Sequence, residues 1–132
     1  MGVFGRGATV ADAFEEAAQA MFELVVDTAG LARTGTPRRV ACAADDPEEL
    51  LVEFLNELIA EADLAGEAFL SVEIDTLDGN ERGWRLEATA LGAGRESLGG
   101  RLRGEVKAAT PCGVRVGRLA GGLWEAVCLL DM

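Results

Sequence analysis

The chain has 132 residues, enough for one domain whose core buries most of what the unfolded chain exposes, so neither a metal nor a disulfide is needed merely to fold. Twenty-three Asp and Glu against twelve Lys and Arg leave a net charge of −11, which repels a phosphate backbone and argues against direct nucleic-acid binding. There is no histidine, which excludes Ser-His-Asp and Cys-His catalysis and imidazole zinc sites.

The first element is a short strand fragment, Val3 to Arg6, bounded by Gly2, Gly5 and Gly7. Thr9 then offers a helix N-cap, and Phe14, Ala18, Met21, Phe22 and Val25 recur at helical spacing, so a helix is expected from about Val10 to Asp27. A Gly/Thr/Pro loop from Gly30 to Pro37 leads into a strand over Arg39 to Ala43. The next boundary is the clearest in the chain. Asp46 is placed as N-cap, Pro47 at the first helical position and Glu49 three residues after the cap, the pattern of a capping box. Leu51, Phe54, Leu55, Leu58, Ile59 and Ala62 line one face of this helix, while Glu53, Glu57 and Glu61 form a solvated acidic face that ends near Asp63.

From Glu67 the periodicity changes to alternation. Phe69 to Ile74 and Trp84 to Ala90 read as a hairpin turning at Asp78-Gly79-Asn80. Gly92-Ala93-Gly94 and Leu98-Gly99-Gly100-Arg101 read as turns, since they lack the strand-to-helix context of a phosphate loop. Strand regions at Gly104 to Thr110 and Gly113 to Gly117 lead through Ala120-Gly121-Gly122 into Trp124 to Asp131, which is apolar on both faces and therefore expected to be a central strand. The layout is α+β: one domain over residues 1–132, with two helices packed on one face of a mixed, mostly antiparallel sheet in the order β-α-β-α-β-β-β-β.

Three features bear on where the protein works and what it meets. Cys42, Cys112 and Cys128 are odd in number and lie in apolar runs, which reads as reduced core thiols in a cytoplasmic protein. No stretch approaches the roughly eighteen apolar residues of a membrane span, and the N-terminus lacks a basic region followed by an apolar one, so a soluble, non-exported protein is expected. Charge is also uneven: thirteen Asp or Glu and no Lys or Arg fall between Val40 and Glu81. Such a face suits protein contact or cation binding, beside the plainer role of a solvated surface.

Four stretches, in this order, resemble the archease family from end to end: Gly7-Ala8-Thr9-Val10-Ala11-Asp12-Ala13-Phe14-Glu15-Glu16-Ala17-Ala18 through Phe22; Leu50-Leu51-Val52-Glu53-Phe54-Leu55-Asn56-Glu57-Leu58; Gly104-Glu105-Val106-Lys107-Ala108; and Val127-Cys128-Leu129-Leu130-Asp131-Met132. The resemblance implies a protein cofactor of RtcB-type RNA ligases rather than an enzyme, one that promotes guanylylation and repeated turnover in tRNA splicing and RNA repair. It also implies a working tip. There the family gathers an N-terminal Asp, the Lys of the Glu-Val-Lys-Ala motif, the penultimate Asp and the terminal carboxylate around a divalent cation: calcium, magnesium or manganese. Carried onto this chain, the Lys is Lys107, the Asp is Asp131, and the terminal carboxylate belongs to Met132.

Composition sharpens Lys107, because eleven Arg accompany this single Lys, and an ammonium fits a tight site that a planar guanidinium would overfill. The plainer reading is an ion pair between Lys107 and Glu105. If the last two strands fold back through Ala120 and Gly121, Thr110 falls opposite Asp131, leaving Lys107 about 10 Å farther along and on the wrong face unless Pro111 or Gly113 supplies a bulge. The chain departs from the family in two places. Met1 stands where an apolar residue follows the family's acidic-His-Thr-Ala-Asp stretch, so the N-terminal metal Asp is absent; the expectation is a true start upstream, or weak cation binding otherwise. Pro111-Cys112 replaces an aromatic and a His. The alternative is a divergent archease-fold interaction or chaperone-like module without metal; a stand-alone metal-dependent hydrolase lacks an assembled base and nucleophile.

Overall fold

In the computed structural model, which describes residues 1–32 and 35–132, six strands and two long helices alternate as expected and a third, short helix is added. The strands are β1 (Gly2–Gly7), β2 (Arg38–Ala44), β3 (Glu67–Asn80), β4 (Gly83–Gly94), β5 (Ala108–Arg118) and β6 (Trp124–Asp131); the helices are α1 (Val10–Val25), α2 (Pro47–Ala65) and α3 (Arg95–Leu98). The loop expected from Gly30 to Pro37 contains residues 33 and 34, which lie outside the described residues. No helix among the described residues is long and apolar enough to cross a membrane.

Both long helices start where their caps dictate. The Thr9 hydroxyl accepts the Asp12 N–H at 3.1 Å, and the Asp46 carboxylate accepts the Glu49 N–H at 2.8 Å ahead of Pro47. Each bond satisfies a backbone donor that the first turn leaves open. α2 ends at Gly66, whose φ of 65° allows the left-handed turn that caps the last carbonyls.

The α+β layout holds, and its strands are divided. They form two wholly antiparallel sheets, ordered β1-β6-β5 and β2-β4-β3, rather than one mixed sheet. The apolar β6 is central in its sheet, as its composition implied. α1 lies at the junction, packed on β1 and β6 of one sheet and on β3 of the other, while α2 spans β5 and β2. Two backbone groups on the free edge of β3 are engaged by α1 side chains. Gln19 donates to the Leu70 carbonyl at 3.0 Å, and Glu15 accepts the Ile74 N–H at 2.5 Å. An edge whose donors and acceptors are taken by a helix no longer offers itself to another strand.

Between the layers Phe14 stacks on Phe54 with centroids 6.3 Å apart, and Phe22 meets Phe69 edge-on at 5.4 Å. Phe14, Phe54 and Phe69 are wholly buried, so these rings contribute both area and shape to one core. Several expected boundaries shift. β3 runs on through Asp78-Gly79-Asn80, and the turn is Glu81-Arg82, closed by the Asn80 side chain accepting the Arg82 N–H at 2.7 Å. Gly79 is there for space, since a Cβ would lie 2.0 Å from the Trp84 ring. Gly92 to Gly94 is strand rather than turn, residues Arg95–Leu98 and Gly99–Arg101 are a short helix and a 3-10 turn, and the strand expected from Gly104 begins only at Ala108.

Glu15 sits where burial raises its pKa above the ordinary carboxylate value. The Ile74 N–H works against that rise, and the charges of Asp12, Glu73 and Asp75 add to it. A raised folded pKa means this group supports the fold fully below its unfolded pKa and loses that support as pH rises through the folded one. Glu15→Gln keeps the acceptor and removes the charge. It is expected to raise Tm at pH 7, with the gain shrinking as pH falls toward about 4, the ordinary Glu value; melting curves across that range check it, and an unchanged or lower Tm at pH 7 contradicts it.

Candidate functional site

The geometry of the tip is set by a large bulge in β5. From the turn, Arg118 to Arg115 pair with Trp124 to Val127; the ladder then resumes at Thr110 with Leu129 and ends with Ala108 opposite Asp131. Residues 111 to 114 thus stand against Cys128 alone. Pro111 has no N–H to give a ladder, and Gly113 has a φ of 74°, a conformation that favours glycine. The bulge expected at Pro111 or Gly113 uses both. It draws the chain back so that the Lys107 N–H donates to the Asp131 carbonyl at 2.8 Å.

The structure therefore brings Lys107, Asp131 and Met132 to one exposed corner of the β1-β6-β5 sheet, and all three are exposed. With Ala108 opposite Asp131, strand alternation assigns the Lys107 side chain to the face of Met132 and leaves Asp131 on the other. Lys107 and Asp131 meet through their backbones. Among the described residues Lys107 forms an ion pair with neither Glu105 nor Asp131. β1 reaches the same corner, where the Met1 carbonyl accepts the Leu130 N–H at 2.7 Å, so the strand position before Met1 is the one that would face Asp131.

A residue not singled out for this role fixes the corner. The Asn56 side chain, from α2, accepts the Ala109 N–H at 2.8 Å and donates to the Ala109 carbonyl at 3.0 Å, two residues beyond Lys107. One amide imitates a neighbouring strand on the open edge of β5. Asn56→Ala is expected to leave both Ala109 backbone groups without a partner, at a cost of about 1–3 kcal/mol. It should also speed amide exchange at Ala109; unchanged protection there would show that the side chain does not hold this edge.

The cysteines divide by place. Cys128 is buried, Cys42 is half-buried, and Cys112, expected in the core, is exposed because it lies in the bulge. Burial, followed by the charges of Glu57 and Glu53, pushes the Cys42 thiol up to about 11; burial also raises Cys128. Both are thiols at neutral pH, with the low reactivity that follows. Oxygen donors at the corner are the Asp131 carboxylate and the chain's terminal carboxylate on Met132. Among the described residues no group of three or more His, Cys, Asp or Glu is placed to hold a metal ion. Two carboxylates are hard ligands that suit calcium, magnesium or manganese and would leave most of the shell to water.

Two antiparallel sheets tied by two helices, with an ammonium and carboxylates exposed at one corner, define a small α+β protein. The archease protein family model matches residues 1–132, and the chain belongs to that family. It is 34% identical over 135 residues to an archease of Thermococcus gammatolerans, covering 100% of this chain and 92% of the relative, and 30% identical over 132 residues to that of Pyrococcus abyssi, with the same coverage. Among solved structures it is similar to a Methanobacterium thermoautotrophicum protein, with TM-score 0.80, 32% identity, and 99% of this chain and 91% of that one covered. The crystal structure of a Thermotoga maritima archease, described as a possible chaperone, shares the fold at TM-score 0.61 and 15% identity, with 100% and 90% covered.

Proposed function

We propose that the protein is a non-catalytic cofactor of an RtcB-type RNA ligase, promoting its guanylylation and repeated turnover in tRNA splicing and RNA repair. The observation that carries this reading is the bond from the Lys107 N–H to the Asp131 carbonyl, which joins the two residues the family resemblance implicates at one exposed corner. Lys107 supplies an exposed cation there, and no ion pair among the described residues engages it. A divalent cation, calcium, magnesium or manganese, would be held by Asp131 and the Met132 carboxylate. Calcium takes about six to eight oxygens, so two carboxylates imply weak binding, which isothermal titration with each ion would measure.

The small donor set also favours a second reading, a chaperone-like module of the same fold that works without metal. One experiment separates them: the rate at which the ligase accumulates guanylylated enzyme from GTP and manganese. A helper of the first kind accelerates that step, and chelation of a cation it needs removes the acceleration. Acceleration that survives calcium-selective chelation leaves no role for calcium, and no acceleration at all defeats the cofactor reading.

A further inference from the structure

Between the last turns of α1 and α2 the core opens into a cavity of about 250 Å3. Met21, Phe22, Ile59 and Val106 form its apolar body, and Leu102, 40% exposed, stands at its lip. An engineered apolar cavity of about 150 Å3 already takes a benzene ring, so this space accommodates one large apolar side chain. It falls below the range of roughly 300 Å3 and upward typical of small-molecule sites. The cavity is also preformed. Its roof, the segment after α3, is pinned to the end of α1 by the Asp27 N–H to the Arg101 carbonyl and the Arg103 N–H to the Val25 carbonyl, both at 2.8 Å.

Charge at the mouth says what should accompany that side chain. Three charged residues line it. Arg95 and Asp63 neutralise one another at 2.6 Å, leaving Glu105, which has no ion pair among the described residues. The residues lining the mouth thus carry one net negative charge, on Glu105, in a chain of net charge −11. Its position is equally specific: Gly104, Glu105 and Val106 line it, and Lys107 is the next residue. α1, about 24 Å long at its ordinary rise, follows β1 and packs along it, returning its last turns to the end of the sheet where Met1 and Asp131 lie.

We infer that this cavity is an anchor site for a partner protein. It receives one large apolar side chain that sits beside a lysine or arginine, whose charge meets Glu105. An aromatic or leucine anchor in a pocket, ringed by polar contacts, is how protein interfaces concentrate their affinity. The identity of the partner, though not the chemistry of the anchor, rests on the ligase reading above.

The test measures the affinity of the protein for the ligase together with ligation at saturating protein. Ala62→Met fills the cavity from a wall position that is 1% exposed, and Glu105→Lys reverses the mouth charge at an exposed position. Each is expected to weaken binding by about tenfold or more while leaving stimulation at saturation intact. Lys107→Ala should instead lower stimulation at saturation. Should Ala62→Met fail to fold, Glu105→Lys carries the affinity arm. Wild-type affinity in the folded variants overturns the inference. If the wild-type protein neither binds nor stimulates the ligase, the ligase reading fails, and titration with N-acetyltryptophanamide followed by NMR decides the pocket. Saturable shifts at Phe22 and Val106 that Glu105→Lys leaves in place, and that a folded Ala62→Met abolishes, support an apolar anchor site for another partner. No saturable shift there overturns it.

Discussion

Gly5→Val is expected to cost about 3 kcal/mol and lower Tm by roughly 10 °C, at the upper end of what overpacking does. A Cβ at Gly5 would lie 2.2 Å from the Ala13 carbonyl oxygen and 2.4 Å from the Ala17 nitrogen. Those are backbone atoms of α1, so no side-chain rotation relieves the clash and the helix itself must move away from β1. The displacement would loosen the strand that brings Met1 to the corner, so the damage reaches the tip as well as the core. Thermal melting checks the first consequence and amide exchange at Leu130, bonded to the Met1 carbonyl, the second. A valine variant with wild-type Tm would mean that α1 does not sit on β1 as described.

Lys107→Ala and Asp131→Ala are each expected to remove most of the stimulation of the ligase, about tenfold or more in turnover, while melting within about 0.5 kcal/mol of wild type. The stability half follows from exposure. Both side chains lie outside the core, and the contact between them runs through backbone atoms that alanine retains. The functional half follows from chemistry, since alanine removes the corner's ammonium in one case and one of two carboxylates in the other. Lys107→Arg separates charge from shape: a guanidinium keeps the charge and is too broad for a tight site. Retained stimulation by Lys107→Arg would make charge alone sufficient, and loss of cooperative melting in either alanine variant would make these residues structural.

What was legible in the sequence was what local chemistry dictates. The Asp46-Pro47 start of α2, the Thr9 start of α1 and the apolar centrality of β6 each depend on neighbours in sequence or on a simple period. Glycines were harder because the same residue serves opposite needs. Gly79 read as a turn residue and is strand, emptied to admit the Trp84 ring; Gly5 read as a boundary and is the contact point of helix and strand. The division into two sheets was not legible either: the α1 side chains that meet the edge of β3, Glu15 and Gln19, come from more than fifty residues away. Asn56 carried a signal, an amide on the border of an apolar helical face, but nothing local named Ala109 as its partner. Of the tip, the residues could be carried over from the family; their distance could not, because it hangs on how many residues the Pro111 bulge holds out of the ladder.

The most direct test of the account is multiple-turnover RNA ligation by the organism's own RtcB-type ligase, with substrate in large excess, in the presence and absence of this protein. A single slow round is expected without it and sustained turnover with it, dependent on Lys107. Equal turnover in both reactions, with the protein folded and in excess over the ligase, would contradict it.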